Sequence, residues 1–454
     1  MKKVRVGSGS GFWGDMIDPA VEVVEKGDVG YIAFDHLAEL TLSILQRQRA
    51  NDPGKGYIED VVPICKAILP TCVKKGIRII TNAGGANPEA AADRVLAIAR
   101  EFELKGVKVA VVLGDDVKDR LEPCRAKGWK FRNLDTDAED IDSIRDRIVA
   151  ANVYLGAEPI VEALKKGPKV IVTGRNTDSS SYIAPLIYEF GWAMDDWNRL
   201  AAGITVGHLL ECSCASTGGI SNLWKDVPEP WRIGFPIAEV SENGEAIITK
   251  VPGSGGLVNK ITCTEHLVYE IQDLANYIMP EVITDLTRLE LEQVGIDRVK
   301  VTGAIGKPKP PTLKCGIGYR DGFIGEAHMM FSWPDALSKA RWAARFVSER
   351  LKMAKLDAQE IKTDFIGFNA LHGPLVPEPA PGNEPNEIML RMAVRAKSKA
   401  EAGKVRREMA ALAIVGAMGM AFGGSPPPVR EVISLWSTLI PREEVPTRVL
   451  MKEV

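Results

Sequence analysis

Histidine is scarce in this chain, with five in 454 residues, so chemistry that needs an imidazole has few places to reside. Long apolar runs are missing as well. No window approaches the ~18 residues that a membrane-spanning helix requires, which excludes a membrane partner from expectation. Neither sign of charge dominates: 57 Lys and Arg stand against 60 Asp and Glu. A nucleic-acid footprint needs clustered basic residues and a high pI, so no nucleic-acid partner is expected. The basic run at residues 396–407 (AKSKAEAGKVRR) reads as one exposed helix face. The seven cysteines are odd in number and scattered, which fits reduced thiols in a cytoplasm better than a disulfide framework. Cys212-Ser-Cys214 is the one close pair, and CxC without a second pair is a poor zinc signature. Internal repeats and low-complexity linkers are absent, and no signal peptide is read at the N-terminus. The chain is too long for a single ordinary core, and a cytoplasmic location is expected.

What is present is alternation. Short apolar segments at residues 4–9, 29–34, 77–81, 107–113 and 169–173 read as strands, separated by helical patterns. Strands alternating with helices predict an α/β fold with a parallel sheet and helices on both faces, Rossmann-like, over residues 1–230. Residues 231–333 read as a strand-rich segment, including a hairpin at 237–250 turning on Asn243-Gly244. Strands at 311–319 and 325–331 are separated by a turn at Gly318–Gly322. Residues 334–454 read as a C-terminal α/β section. Helices are expected around 137–151, 387–402 and 406–416.

Polar residues recur where these strands end: Gly9-Ser-Gly11, Asp35, Asn82-Ala-Gly84-Gly85, Gly114-Asp115-Asp116 and Gly174-Arg175-Asn176-Thr-Asp178. The carboxyl ends of parallel strands share one rim, so these groups can converge on one crevice. The plainer reading is that Gly, Asn and Asp are simply turn residues. Gly9–Gly14 matches the G-x-G-x-x-G string. The next helix is expected at Asp18-Pro19, however, which leaves the third glycine outside it, so no nicotinamide cofactor is expected.

Residues 174–219 carry the densest set of reactive side chains. Leu200, Ile204, His208 and Glu211 share one helix face, so an apolar stripe ends in an imidazole and a carboxylate. A Ser/Thr/Gly-rich loop follows. His208, Glu211, Asp178 and Asp35 are the acid–base candidates. Gly9, Gly11, Asn82, Gly84, Gly85, Asp115, Asn176, Gly218, Gly219 and Gly255 are candidates for cradling an anion through backbone or side-chain donors. Arg175 is placed to pair with a carboxylate or phosphate. His208 also reads as a buried structural histidine. His266 and His328 read as structural. Asp115-Asp116 reads as a capped turn, and no metal site is assigned.

The stretches GSGSGFWGD, FDHLAELTL, NAGGANP, LGDDV, GRNTDSS, LAAGITVGHLLEC, GFPIAEV, ITKVPGSGGLV, LEQVGIDRVKVTGA and GYRDGFIGE resemble the acyclic terpene utilisation protein A family, over roughly residues 4–445. The resemblance implies a place in the degradation of citronellol- and geraniol-type branched acids through coenzyme A thioesters. Members of the family carry a fused C-terminal ferredoxin-like domain or occur beside a small separate protein. The resemblance therefore implies a small ferredoxin-like subunit in trans, and self-association into a homo-oligomer. It carries over no catalytic residue. The expected function is an enzyme of small branched or unsaturated carboxylic acids or their acyl-CoA thioesters, adding or removing water in the manner of a hydratase or lyase. No cofactor is assigned, and a coenzyme A thioester enters as substrate. The alternatives are a non-catalytic accessory or scaffold subunit of an acyl-CoA-processing complex, and a nicotinamide-dependent oxidoreductase.

Overall fold

A computed structural model describes residues 2–380 and 382–454. The chain forms two compact units, Met1–Gly318 with Leu435–Val454, and Tyr319–Ser434.

The larger unit is built on a ten-stranded sheet. At its centre Lys3–Ser10, Tyr31–Phe34, Arg78–Thr81, Val170–Thr173 and Lys108–Leu113 lie side by side in that order, all parallel. Strands such as YIAF and VIVT are buried throughout, because helices cover both faces and leave no solvent side for polar residues. Asp18–Lys26, Val61–Lys75 and Pro88–Glu101 pack in series as one layer of helices. Glu158–Lys165, Ser180–Phe190 and Trp197–Glu211 pack in series as another. Val23, Phe34, Ile64, Val95 and Val172 belong to one continuous core.

The strand order corrects the Rossmann-like expectation. The dinucleotide-binding order places the third, second and first strands before the fourth. Here the first strand lies at the edge of the parallel segment and the third, Arg78–Thr81, adjoins the later parallel strands, while the antiparallel strands Pro236–Ser241 and Arg448–Glu453 flank that segment. The architecture is a mixed α/β sheet with a parallel centre. The hairpin on Asn243-Gly244 forms as expected, with Gly244 at φ +91, but its strands join this main sheet. So do Glu290–Gly295 and Arg298–Thr302.

Three local expectations are overturned. Residues 137–151 form short 3-10 turns, Ile141–Ser143 and Arg145–Arg147, followed by the strand Ile148–Val153. The Asp140 carboxylate accepts from Ile141 N at 2.8 Å, a local side-chain bond that competes with helix formation. Residues 387–402 divide into a strand, Glu387–Ala396, and the start of a helix, Lys399–Ala410. The Met, Leu, Arg and Ala of that strand favour helices, but pairing on both edges overrides propensity. The expected turn at Gly318–Gly322 is absent, and one strand runs over Thr312–Ser332.

In the smaller unit the order is strand, helix Ala336–Met353, strands Glu360–Ile366 and Glu387–Ala396, helix Lys399–Ala410, and strand. Glu387–Ala396 lies between Glu360–Ile366 and Thr312–Ser332, and all neighbours are antiparallel. This is the split β-α-β connectivity of ferredoxin-like folds. Both helices pack on the sheet through Ala340, Val347, Leu390, Met392, Val405 and Met409. Among the described residues, no helix is long and apolar enough to cross a membrane.

The G-x-G-x-x-G string serves packing. A Cβ on Gly9 would collide with the Phe34 ring, and one on Gly11 would lie 2.8 Å from the Cys212 backbone. Gly14, at φ +94, has open space around it and lies outside the helix Asp18–Lys26. Gly9 and Gly11 are each needed where protein atoms come too close for a side chain. Gly11→Ala is therefore expected to lower stability by roughly 1–3 kcal/mol. Gly14→Ala should cost roughly 1 kcal/mol, through its left-handed backbone alone. Urea unfolding midpoints of the two variants measure the difference.

Candidate functional site

The structure brings all four acid–base candidates together. Ligand atoms of Asp35, Asp178 and Glu211 lie within 4.8 Å of one another, and those of His208, Glu211 and His266 do likewise. Asp35 stands just past the strand Tyr31–Phe34, and its amide donates to Ser10 O at 3.1 Å. Asp178 lies in the loop between Val170–Thr173 and the helix Ser180–Phe190. His208 and Glu211 occupy the last turn of Trp197–Glu211, a helix whose start is capped by Asp196 accepting from Arg199 N at 3.4 Å. Gly207 lets this helix touch the Asp178 loop, since a Cβ there would lie 2.7 Å from Ser179 Cβ. His266 arrives on a separate helix, Lys260–Val268, which opens with a capping box between Asn259 and Thr262.

Burial and like charge set the protonation of the acids. Asp35 is buried and accepts from Asn82 Nδ2 at 2.5 Å and Leu37 N at 3.2 Å. Burial, reinforced by the charge of Asp178, pushes its carboxyl well above the usual range. Asp178 is also pushed up by burial, against the pull of Arg175. Arg175 stays charged because its acidic neighbours, Asp178 first, outweigh its burial. Its Nη2 is 3.2 Å from Asp178 Oδ1, Nη1 donates to Leu37 O, and the guanidinium lies 4.2 Å over the Tyr154 ring. One arm of the expected ligand clamp thus pairs with the protein's own Asp178, while its buried Nε has no hydrogen-bond partner.

Glu211 differs from the two aspartates. Burial would raise its carboxyl, and hydrogen bonds from His208 and His266 would lower it; burial in turn lowers His266 toward the neutral ring. Asp178 is packed deep among these groups, yet 41% of its side chain is accessible. Solvent therefore reaches part of this side chain.

The remaining candidates hold their own loops. Asn82 accepts from His36 N at 2.8 Å. Asn176 accepts from Thr173 Oγ1 and donates to Thr177 O and Ser181 Oγ. The amides of Gly85, Gly218, Gly219 and Gly255 donate to the carbonyls of Asn82, Ala215, Cys214 and Arg232, so none offers a free donor to an anion. Gly84 is required because a Cβ would lie 2.8 Å from Pro88 at the start of the next helix. Asp115 and Gly85 line a different cleft of about 400 Å³, with Arg49 and Arg448.

His266 belongs to the cluster and was read from the sequence as structural. It lies on another helix, 55 residues beyond Glu211, and no local spacing links them. The scarcity of histidine is the one signal that could have drawn attention to it.

Asp115 Oδ2 accepts from both Arg175 N and Asn152 Nδ2, each at 2.9 Å. Burial nevertheless raises its carboxyl to about 6. A raised folded-state pKa gives stability below the unfolded value of 3.8 that is lost as pH rises towards 6. Asp115→Asn can keep both acceptor bonds and removes the charge. The variant should gain on the parent by on the order of 2 kcal/mol between pH 4 and pH 7, read from urea midpoints at the two pH values.

The family described as Acyclic terpene utilisation family protein AtuA has a model that matches residues 4–451. No curated protein and no solved structure matches the chain. With nearly its whole length covered by that match, the chain belongs to the acyclic terpene utilisation AtuA family.

Proposed function

We propose that the chain is an enzyme that adds water to, or removes it from, a small branched or unsaturated carboxylic acid or its coenzyme A thioester. The observation that carries this reading is the convergence of three carboxyl groups and two imidazoles at one place, all of them buried except Asp178, beside the carboxyl ends of parallel strands, where α/β sheets hold their ligands. Hydration of an activated double bond needs a group that takes a proton from water and one that returns a proton to carbon. The Asp35–Asp178 pair, both raised by burial, is suited to that exchange. Glu211, His208 and His266 form the opposite wall and hold the water. Asp178, whose side chain solvent reaches, is the member of the pair that meets substrate. Family membership supports a branched acyl substrate, and the residues themselves leave the acyl chain unspecified.

An accessory subunit has no use for this arrangement. Taking each charge out of water costs several kcal/mol unless it is well paired, and a scaffold gains nothing by concentrating that cost at one point. A nicotinamide oxidoreductase is disfavoured by the packing roles of Gly9 and Gly11.

The test is incubation of the purified protein with branched 2-enoyl and 3-hydroxyacyl thioesters and the free acids, with products followed by mass for gain or loss of water. Turnover is expected with at least one branched substrate. Asp178→Asn and His208→Ala should each lower kcat by roughly 10²–10⁴-fold while the fold, read by circular dichroism, is kept. Full turnover in both variants would remove this cluster from the chemistry.

A further inference from the structure

The hydrogen bonds around the two histidines fix which nitrogen of each ring carries the proton. His208 Nε2 lies 3.0 Å from His266 O. A carbonyl can only accept, so the proton is on Nε2, and Nδ1 of the neutral ring presents a lone pair. Ser216 Oγ donates to Leu209 O at 2.6 Å, satisfying one of the carbonyls left open at the end of a helix. Its single proton is spent there, so the 2.7 Å contact between Ser216 Oγ and His266 Nδ1 is donated by the ring. His266 Nε2 is then the bare nitrogen, and it is buried without any hydrogen-bond partner.

Both lone pairs face the same carboxylate. His208 Nδ1 is 3.4 Å and His266 Nε2 is 3.9 Å from Glu211 Oε1. Three acceptors turned toward one another repel, and a cation at their centre reverses the sign of every interaction. Donors at ~2.0–2.1 Å from a zinc-type ion stand roughly 3.3–3.5 Å apart in a tetrahedron, so the separations need little adjustment. Each imidazole also has its far N–H held by an oxygen, the supporting pattern typical of metal-bound histidine.

We infer that His208 Nδ1, Glu211 Oε1 and His266 Nε2 form a three-donor site for a divalent cation of the zinc, cobalt(II) or iron(II) class. Two nitrogen donors and one oxygen favour these ions over magnesium or calcium, which take oxygen. Three protein donors leave a coordination position for water or a substrate oxygen, as catalytic sites do and closed structural sites do not. Asp35 and Asp178 lie within 4.8 Å of the same Glu211 carboxylate, next to whatever occupies that position. The inference rests on the reading of this cluster as the functional centre, but its test needs no substrate.

The full chain, freed of any affinity tag, is stripped with chelator, reloaded with Zn²⁺ or Co²⁺, desalted and assayed by elemental mass spectrometry. About one ion per chain is expected to remain, and the Co²⁺ form should show visible absorption bands. His266→Asn keeps a donor for Ser216 and removes Nε2, and it should lose retention while the circular dichroism spectrum is unchanged. Ser216→Ala should weaken binding by roughly 10–100-fold. Asp35→Asn, which leaves all three donors, should retain the ion. No retained ion in the parent chain, or equal retention in the parent, His266→Asn and Ser216→Ala, overturns the inference. Turnover by a chain that binds no metal overturns it and leaves the hydration reading intact. An ion held by the three donors without any turnover upholds it and counts against the hydration reading alone.

Discussion

Buried like charge is the constraint on which the centre of this protein depends. Asp35, Asp178 and Glu211 sit closer together than three ionised carboxylates can tolerate away from water. Their surroundings answer in two ways. On one side Arg175, held against the Tyr154 ring and donating to Leu37 O, supplies a fixed positive charge, and burial raises both aspartates above their usual range. On the other side Glu211 is met by two imidazoles. Strand order, the helix crossing at Gly207 and the capped helix that carries His266 all serve to bring these groups to one place from five separate segments.

That dependence explains which parts of the site were legible in the sequence. Asp35, Asp178, His208 and Glu211 could be picked out because each stands where a strand or helix ends, and strand ends in a parallel sheet share a rim. His208 and Glu211 also announce themselves by sharing a helix face. Arg175 was visible as a residue, but its partners were not: only the folded chain sets it against Asp178 and Tyr154. The glycines misled for a related reason. Gly-rich turns resemble anion cradles in sequence, and whether their amides are free or spent on carbonyls, as at Gly218 and Gly255, is a tertiary fact.

The fold itself was readable where strands were short and mostly apolar, as at residues 77–81 and 169–173. It was misread where propensity and pairing disagree. Glu387–Ala396 is rich in helix formers, yet Ile388, Leu390, Met392 and Val394 alternate onto one buried face. That period of two was the better guide. Strand order was beyond reach, because nothing in the sequence says that Val170–Thr173 inserts between Arg78–Thr81 and Lys108–Leu113.

Ser216 joins two features that otherwise have nothing to do with each other. Its hydroxyl closes the end of the helix Trp197–Glu211 by capping Leu209 O, and by doing so it dictates the tautomer of His266. Fraying of that last helical turn would free the hydroxyl proton, let the ring reverse its donor and acceptor nitrogens, and carry His208 and Glu211 out of register together. The order of a single helix terminus and the chemical identity of the site are therefore one cooperative event, and backbone amide exchange at residues 212–216 would report on both.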